Sequence, residues 1–173
     1  MKVLVTGGVR SGKSRHAESL LAEAPAVTYV AAGPVYDDAD WAARIAAHRA
    51  RRPATWSTAE TRDIAGVLAV ADAPVLVDCL GTWLTGVIDD AGLWDVPVEA
   101  IESHVLGHLD AVLAALTATG EQVVLVTNEV GLGVVPEHRS ARLFRDLLGT
   151  INQRVAAACD EVHLVVAGRV LRL

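Results

Sequence analysis

Apolar residues in this chain cluster in short runs, separated by longer stretches where apolar and polar positions recur at helical spacing. Five runs, Val3–Thr6, Val27–Ala31, Val75–Asp78, Val123–Thr127 and Val162–Ala167, have the length and β-branched content of buried parallel strands. Helical patterns lie between most of them, at Ser14–Glu23, Asp38–Arg51, Thr61–Ala71, Val98–Thr119 and His138–Ala158. This alternation predicts an α/β fold, a mostly parallel sheet with helices on both faces and a ligand crevice at the carboxyl ends of the strands. The tail Arg169–Leu173 follows Gly168 and alternates, which makes it a candidate antiparallel C-terminal edge strand. Two insertions interrupt the minimal pattern. Asp89–Pro97 is polar and turn-rich, and Ala32–Glu60 combines a loop, a short helix and the stretch Arg51–Glu60. With no internal repeat, low-complexity tract or linker, one domain is expected over residues 1–173.

Composition narrows the partners. Apolar residues make up 52% of the chain but aromatics only 4%, so Ala, Val and Leu must supply most of the packing. Fifteen Lys and Arg against 21 Asp and Glu give a net charge of −6, a poor match to general nucleic-acid binding. Cys79 and Cys159 sit in apolar stretches without CxxC spacing and read as buried free thiols in a reducing compartment. No signal peptide precedes the first strand and no apolar stretch is long enough for a membrane span, so a cytoplasmic protein is expected.

The first strand opens directly onto Gly7-Gly8-Val9-Arg10-Ser11-Gly12-Lys13-Ser14, a complete G-x-x-x-x-G-K-[ST] phosphate loop followed by a helical pattern. Backbone N–H groups at the helix start can then face phosphate oxygens, with the helix dipole adding favourable potential. Lys13 is expected to reach the β- and γ-phosphates, and the Ser14 hydroxyl to bind the accompanying Mg2+. Asp78 ends the third run. A carboxylate there either holds Mg2+ or caps a helix at Gly81-Thr82-Trp83, and its strand-end position favours the metal. Thr127-Asn128-Glu129 ends the next run, so its polar side chains are expected to face the same crevice.

Arg44, His48, Arg49, Arg51 and Arg52 put four arginines and a histidine into nine residues of an acidic chain. On a helix, Arg44, His48 and Arg52 share a face, and Pro53 stops the helix. Neighbouring guanidinium groups are expected to depress the His48 pKa and keep its imidazole neutral, as attack on phosphorus requires. Spacing alone leaves open a solvated basic face paired with Asp37, Asp38 and Asp40. Trp56 reads as core rather than a base-stacking residue. His16, His104, His108 and His163 have no ligand-like company and read as structural or surface residues.

Taken together, the phosphate loop, Arg44-Ile45, His48-Arg49, Arg51-Arg52-Pro53, Trp56, Thr58, Glu60, Val77-Asp78-Cys79, Val126–Gly131, Val134–Glu137 and Asn152-Gln153 resemble a known family. It is the bifunctional adenosylcobinamide kinase/adenosylcobinamide-phosphate guanylyltransferase family of cobalamin synthesis, and the likeness runs from the first strand to the last. The resemblance implies a P-loop NTPase-like (RecA-like) fold. It also implies phosphorylation of adenosylcobinamide by ATP or GTP, and GMP transfer from GTP through a guanylyl-histidine to adenosylcobinamide phosphate, giving adenosylcobinamide-GDP. His48 matches the guanylylated histidine. Nucleotide contacts carry over onto Gly7, Gly8, Val9, Arg10, Ser11, Gly12, Lys13, Ser14, Ala32, Gly33, Pro34, Arg49, Ala50, Arg51, Arg52, Glu60 and Asp78. The family implies a homotrimer. Asp78 stands where the family pattern admits Glu, and Ala47 leaves His48 without a neighbouring histidine. Two competing readings are a kinase using the phosphate loop alone, and a nucleotide-dependent switch whose moving loop is Asn128–Glu137.

Overall fold

Alternating side chains on each central strand divide the core into two layers. In the computed structural model, which describes residues 1–33 and 52–173, β1 (Lys2–Gly7) sends Val3 and Val5 to one face of the sheet and Leu4 to the other. The remaining strands are β2 (Val27–Ala31), β3 (Trp56–Glu60), β4 (Val75–Asp78), β5 (Val123–Val126), β6 (Glu161–Val166) and β7 (Arg169–Arg172). They form one seven-stranded sheet in the order β3-β2-β4-β5-β1-β6-β7. All pairings are parallel except β6–β7. The candidate edge strand is therefore present. It returns through Ala167 and Gly168, whose φ values of 49° and 75° suit a two-residue hairpin loop.

Among the described residues the helices are α1 (Lys13–Ser19), α2 (Ile64–Ala69), α3 (Leu80–Ala91), α4 (Val98–Ala118) and α5 (Arg139–Ala157). Helix α1 packs Ala17, with Leu21 just beyond its end, on the face carrying Val3, Val5, Leu76 and Val124. The other four helices cover the opposite face around Leu4, Val77 and Leu125. Trp83 of α3 is 1% exposed within that layer, a burial worth about 2–3 kcal/mol. Of the expected helices, Asp38–Arg51 lies outside the described residues.

Two elements differ from the sequence pattern. Trp56–Glu60, expected as part of an insertion, is the edge strand β3. Only Trp56 of it is buried, so it carries no apolar run. The turn-rich excursion expected from Asp89 starts later, because α3 continues to Ala91 before Gly92 ends it at φ 63°. Cys79 and Cys159 are free, and each is only partly buried, against an apolar cluster. Among the described residues, no helix is long and apolar enough to cross a membrane.

Candidate active site

Strand register brings the predicted site residues to one edge. Ala31 pairs with Glu60, Val30 with Val77, Asp78 with Val126, and Val126 with Val5, so the carboxyl ends of β3, β2, β4, β5 and β1 lie in a row. The phosphate loop leaves β1 at that row. Gly7 begins it where no side chain fits, since a Cβ would collide with the Val165 carbonyl oxygen and lie 2.8 Å from Ser11 Oγ. Arg10 takes a left-handed φ of 55°, and Gly12 caps α1 at φ 100°. The loop closes through Ser11 N–H to the Gly8 carbonyl (3.3 Å), and Lys13 Nζ donates to the same carbonyl at 3.0 Å. It is backed by the β6–β7 turn, where Gly168 N–H donates to Ser11 O at 2.8 Å. Ser11 Oγ is buried with no partner among the described residues, leaving a hydroxyl inside the loop that an anion can satisfy.

Asp78 faces this edge from β4. Its carboxylate accepts a hydrogen bond from the Tyr29 hydroxyl at 3.2 Å, and the Arg52 guanidinium lies 3.7 Å above the Tyr29 ring. Burial, then the Asp78 charge, pushes the Tyr29 phenol far above its ordinary range, so it stays a donor. Arg52 also donates to Thr58 Oγ1 at 3.2 Å. The helix start after Asp78 is held by Thr82, whose Oγ1 accepts from Cys79 N–H (3.4 Å) and donates to Cys79 O (3.0 Å). None of the described hydrogen bonds has Asp78 capping α3, which leaves its carboxylate for the crevice. Burial first, and Asp78 second, raise the Cys79 thiol, so it is no nucleophile at neutral pH.

One expectation is corrected here. Thr127 does not face the crevice: it is fully buried and its hydroxyl donates to Asn152 Oδ1 on α5 at 2.6 Å. Val126 faces the α1 layer, so strand alternation turns the next side chain, Thr127, to the opposite layer under α5. Asn152 Nδ2 then holds the Asn128 carbonyl at 3.0 Å, while Glu129 Oε1 accepts from Gly131 N–H at 2.8 Å. Glu129 N–H donates to Gly7 O at 3.2 Å, so this loop is stitched to the phosphate loop.

The structure thus gathers Gly7, Gly8, Val9, Arg10, Ser11, Gly12, Lys13, Ser14, Ala32, Gly33, Glu60 and Asp78 along one edge, with Arg52 stacked on Tyr29 beside it. Gly33 packs close to Thr82, where a Cβ would come within 3.1 Å. Pro34, His48, Arg49, Ala50 and Arg51 lie outside the described residues. Tyr29 and Asn152 are the residues sequence reasoning missed as organisers of the site. No cluster of three or more His, Cys, Asp or Glu side chains able to hold a metal occurs among the described residues. A hydroxyl and a single strand-end carboxylate nevertheless fit Mg2+, which takes few protein ligands and completes its shell with phosphate oxygens and water.

Residues 3–173 match the family model CobU, described as cobinamide kinase / cobinamide phosphate guanyltransferase. The chain belongs to this family. It is 47% identical over 178 residues to the bifunctional adenosylcobalamin biosynthesis protein CobU of Salmonella typhimurium, the match covering 97% of both chains. The Escherichia coli protein of the same name is 44% identical, again over 97% of each, and CobP of Pseudomonas aeruginosa is 42% identical over 97% of this chain and 94% of its own. As a member of the CobU family, the chain is a bifunctional kinase and guanylyltransferase of adenosylcobalamin biosynthesis. Among solved structures, an ATPase of a type III secretion system of pathogenic bacteria superposes with a TM-score of 0.58 at 10% identity. That match covers 94% of this chain and about half (50%) of the ATPase, and it bears on the fold alone, a P-loop NTPase-like sheet.

Proposed function

We propose that residues 1–173 form one transferase domain that runs two reactions around one phosphate loop. In the first, the aminopropanol hydroxyl oxygen of adenosylcobinamide attacks the γ-phosphorus of ATP or GTP. The γ-phosphorus bond to the bridging oxygen breaks, the nucleoside diphosphate leaves and the hydroxyl proton is released. In the second, a neutral His48 nitrogen attacks the α-phosphorus of GTP and pyrophosphate departs. A phosphate oxygen of adenosylcobinamide phosphate then displaces His48, giving adenosylcobinamide-GDP. The phosphoramidate retains the reactivity of the anhydride while the acceptor replaces pyrophosphate. Lys13 with Arg49, Arg51 and Arg52 offsets charge developing on the phosphates, while Gly7 to Ser14, Ala32, Gly33, Pro34, Ala50 and Glu60 shape the nucleotide site. Ser14 and Asp78 would hold Mg2+, which when bound neutralises phosphate charge. We place the enzyme in the cytoplasm as a homotrimer.

The observation that carries this reading is the phosphate loop standing beside a strand-end carboxylate, in a chain whose family performs both reactions. The test is incubation with GTP labelled at the α-phosphate. Label retained on protein, labile to acid and stable to base, is expected, and it should vanish in His48→Ala. An adduct of undiminished yield in that variant rules out His48 as the nucleophile. Lys13→Ala should slow the kinase step by about a hundredfold or more, and an unchanged rate would remove the loop from the phosphoryl-transfer site.

A further inference from the structure

The acceptor substrate in a cobinamide kinase is a broad macrocycle with methyl groups and neutral amides around its rim, axial ligands on its faces and an arm ending in the reacting hydroxyl. Its site must be large, must offer aromatic and aliphatic surface, and must adjoin the phosphate loop. One groove among the described residues offers such surface, and the loop that walls it is hydrogen-bonded to the phosphate loop. It is a shallow, open groove of about 1040 Å³ between α3, the turn after it, the loop following β5 and the start of α5. That is at the upper end of small-molecule sites. Trp94 and Phe144 supply aromatic surface, Val130 and Pro136 an aliphatic wall, and Asp89 and Arg145 polar groups at the margin.

Three further observations bear on the occupant. The wall is continuous with the nucleotide site, because Glu129 N–H donates to Gly7 O one residue before Val130 joins the groove. The loop between Val130 and Pro136 leaves Leu132 and Val134 90% and 94% exposed, an apolar lip with no cover in the single chain. The walls are held from below. Arg139 donates to the carbonyls of Trp94 and Val96 at 2.6 Å each, and Arg145 Nη2 donates to Gly131 O at 2.9 Å. Arg145 Nη1 is buried without a hydrogen-bond partner among the described residues, so a donor remains for an amide carbonyl.

We propose that this groove holds the corrin macrocycle of the acceptor, so that its aminopropanol arm crosses the Asn128–Gly131 segment to the phosphate loop. The assignment rests on cobinamide being the acceptor. A pocket that grips the unreacting macrocycle binds ground and transition states alike, so damage to it raises KM and spares kcat.

The experiment uses the whole chain and two variants, Phe144→Ala, which removes an aromatic wall, and Ser140→Phe, which fills the groove from an exposed position on α5. Cobinamide binding is followed by quenching of tryptophan fluorescence without nucleotide, and kinase kinetics are measured with both substrates varied. Expected is a rise of about tenfold or more in Kd and KM for cobinamide, with KM for nucleotide and kcat within about twofold of wild type. Unchanged cobinamide binding in a folded Ser140→Phe protein overturns the assignment. So does a variant that alters the sedimentation coefficient and leaves cobinamide binding intact, since the face would then belong to a second copy. Wild-type protein that binds cobinamide in the groove but fails to phosphorylate it would sink the kinase reading and leave the groove standing.

Discussion

Gly7 and Gly8 are neighbours in one motif, yet the structure asks different things of them. A Cβ at Gly7 would press on the Val165 carbonyl and Ser11 Oγ, whereas one at Gly8 would meet nothing within 4 Å. Gly7→Ala should therefore cost about 1–3 kcal/mol in urea unfolding, and Gly8→Ala less than about 0.5 kcal/mol. Equal losses would contradict the close approach of β1 to β6. The phosphate loop was legible in the sequence because its geometry dictates its residue types. Tyr29 was not, because an aromatic residue in a strand says nothing of Asp78 until β2 is placed beside β4. The basic cluster around His48 was equally legible as residues, but Arg52 alone of it falls among those described.

Helix α5 does more at the site than its amphipathic pattern announces. Asn152 joins the Thr127 hydroxyl to the Asn128 carbonyl, so Asn152→Leu leaves one buried and one half-buried polar group unpaired. The expected cost is about 2–4 kcal/mol, from about 1–3 kcal/mol per orphaned group partly relieved by solvent, read as a lower urea midpoint. A loss below about 0.5 kcal/mol would show that the Thr127–Asn152 pair does not hold the loop. Strongly periodic helices such as Val98–Ala118 were read to within a residue. Helix α3 escaped because Gly81, Thr82 and Gly86 are weak helix formers and seven of its twelve residues are buried, which blurs any polar stripe. Strand β3 escaped for the opposite reason: at a sheet edge only Trp56 is buried, and the tertiary pairing with β2 decides its conformation.

Across the whole molecule, two of the four histidines without ligand-like company, His16 and His163, form a chain behind the phosphate loop. His16 Nε2 lies 2.8 Å from His163 Nδ1, and His163 Nε2 lies 2.7 Å from Glu161 Oε2. Both contacts are satisfied when neutral His16 donates to His163 and His163 donates to Glu161. Burial, then His163 and Arg172, hold the His16 pKa below 6.5. The unfolded chain therefore takes up a proton at His16 before the native state does, so stability falls as pH drops from 6.5 towards the folded-state pKa. Unfolding midpoints at about pH 7.5 and about pH 5.5 should differ more for wild type than for His16→Gln, and an identical difference would sever the link.

The same rear support has a consequence for how the enzyme is made. Strand β1 is flanked by β5 and β6, and Ser11 is fastened to Gly168 at the β6–β7 turn. The phosphate loop leaves the ribosome well before β6 and the β6–β7 turn that hold it. Until residues 161–168 have been translated, the nascent chain carries the full motif in letters but lacks the strand and turn that brace it.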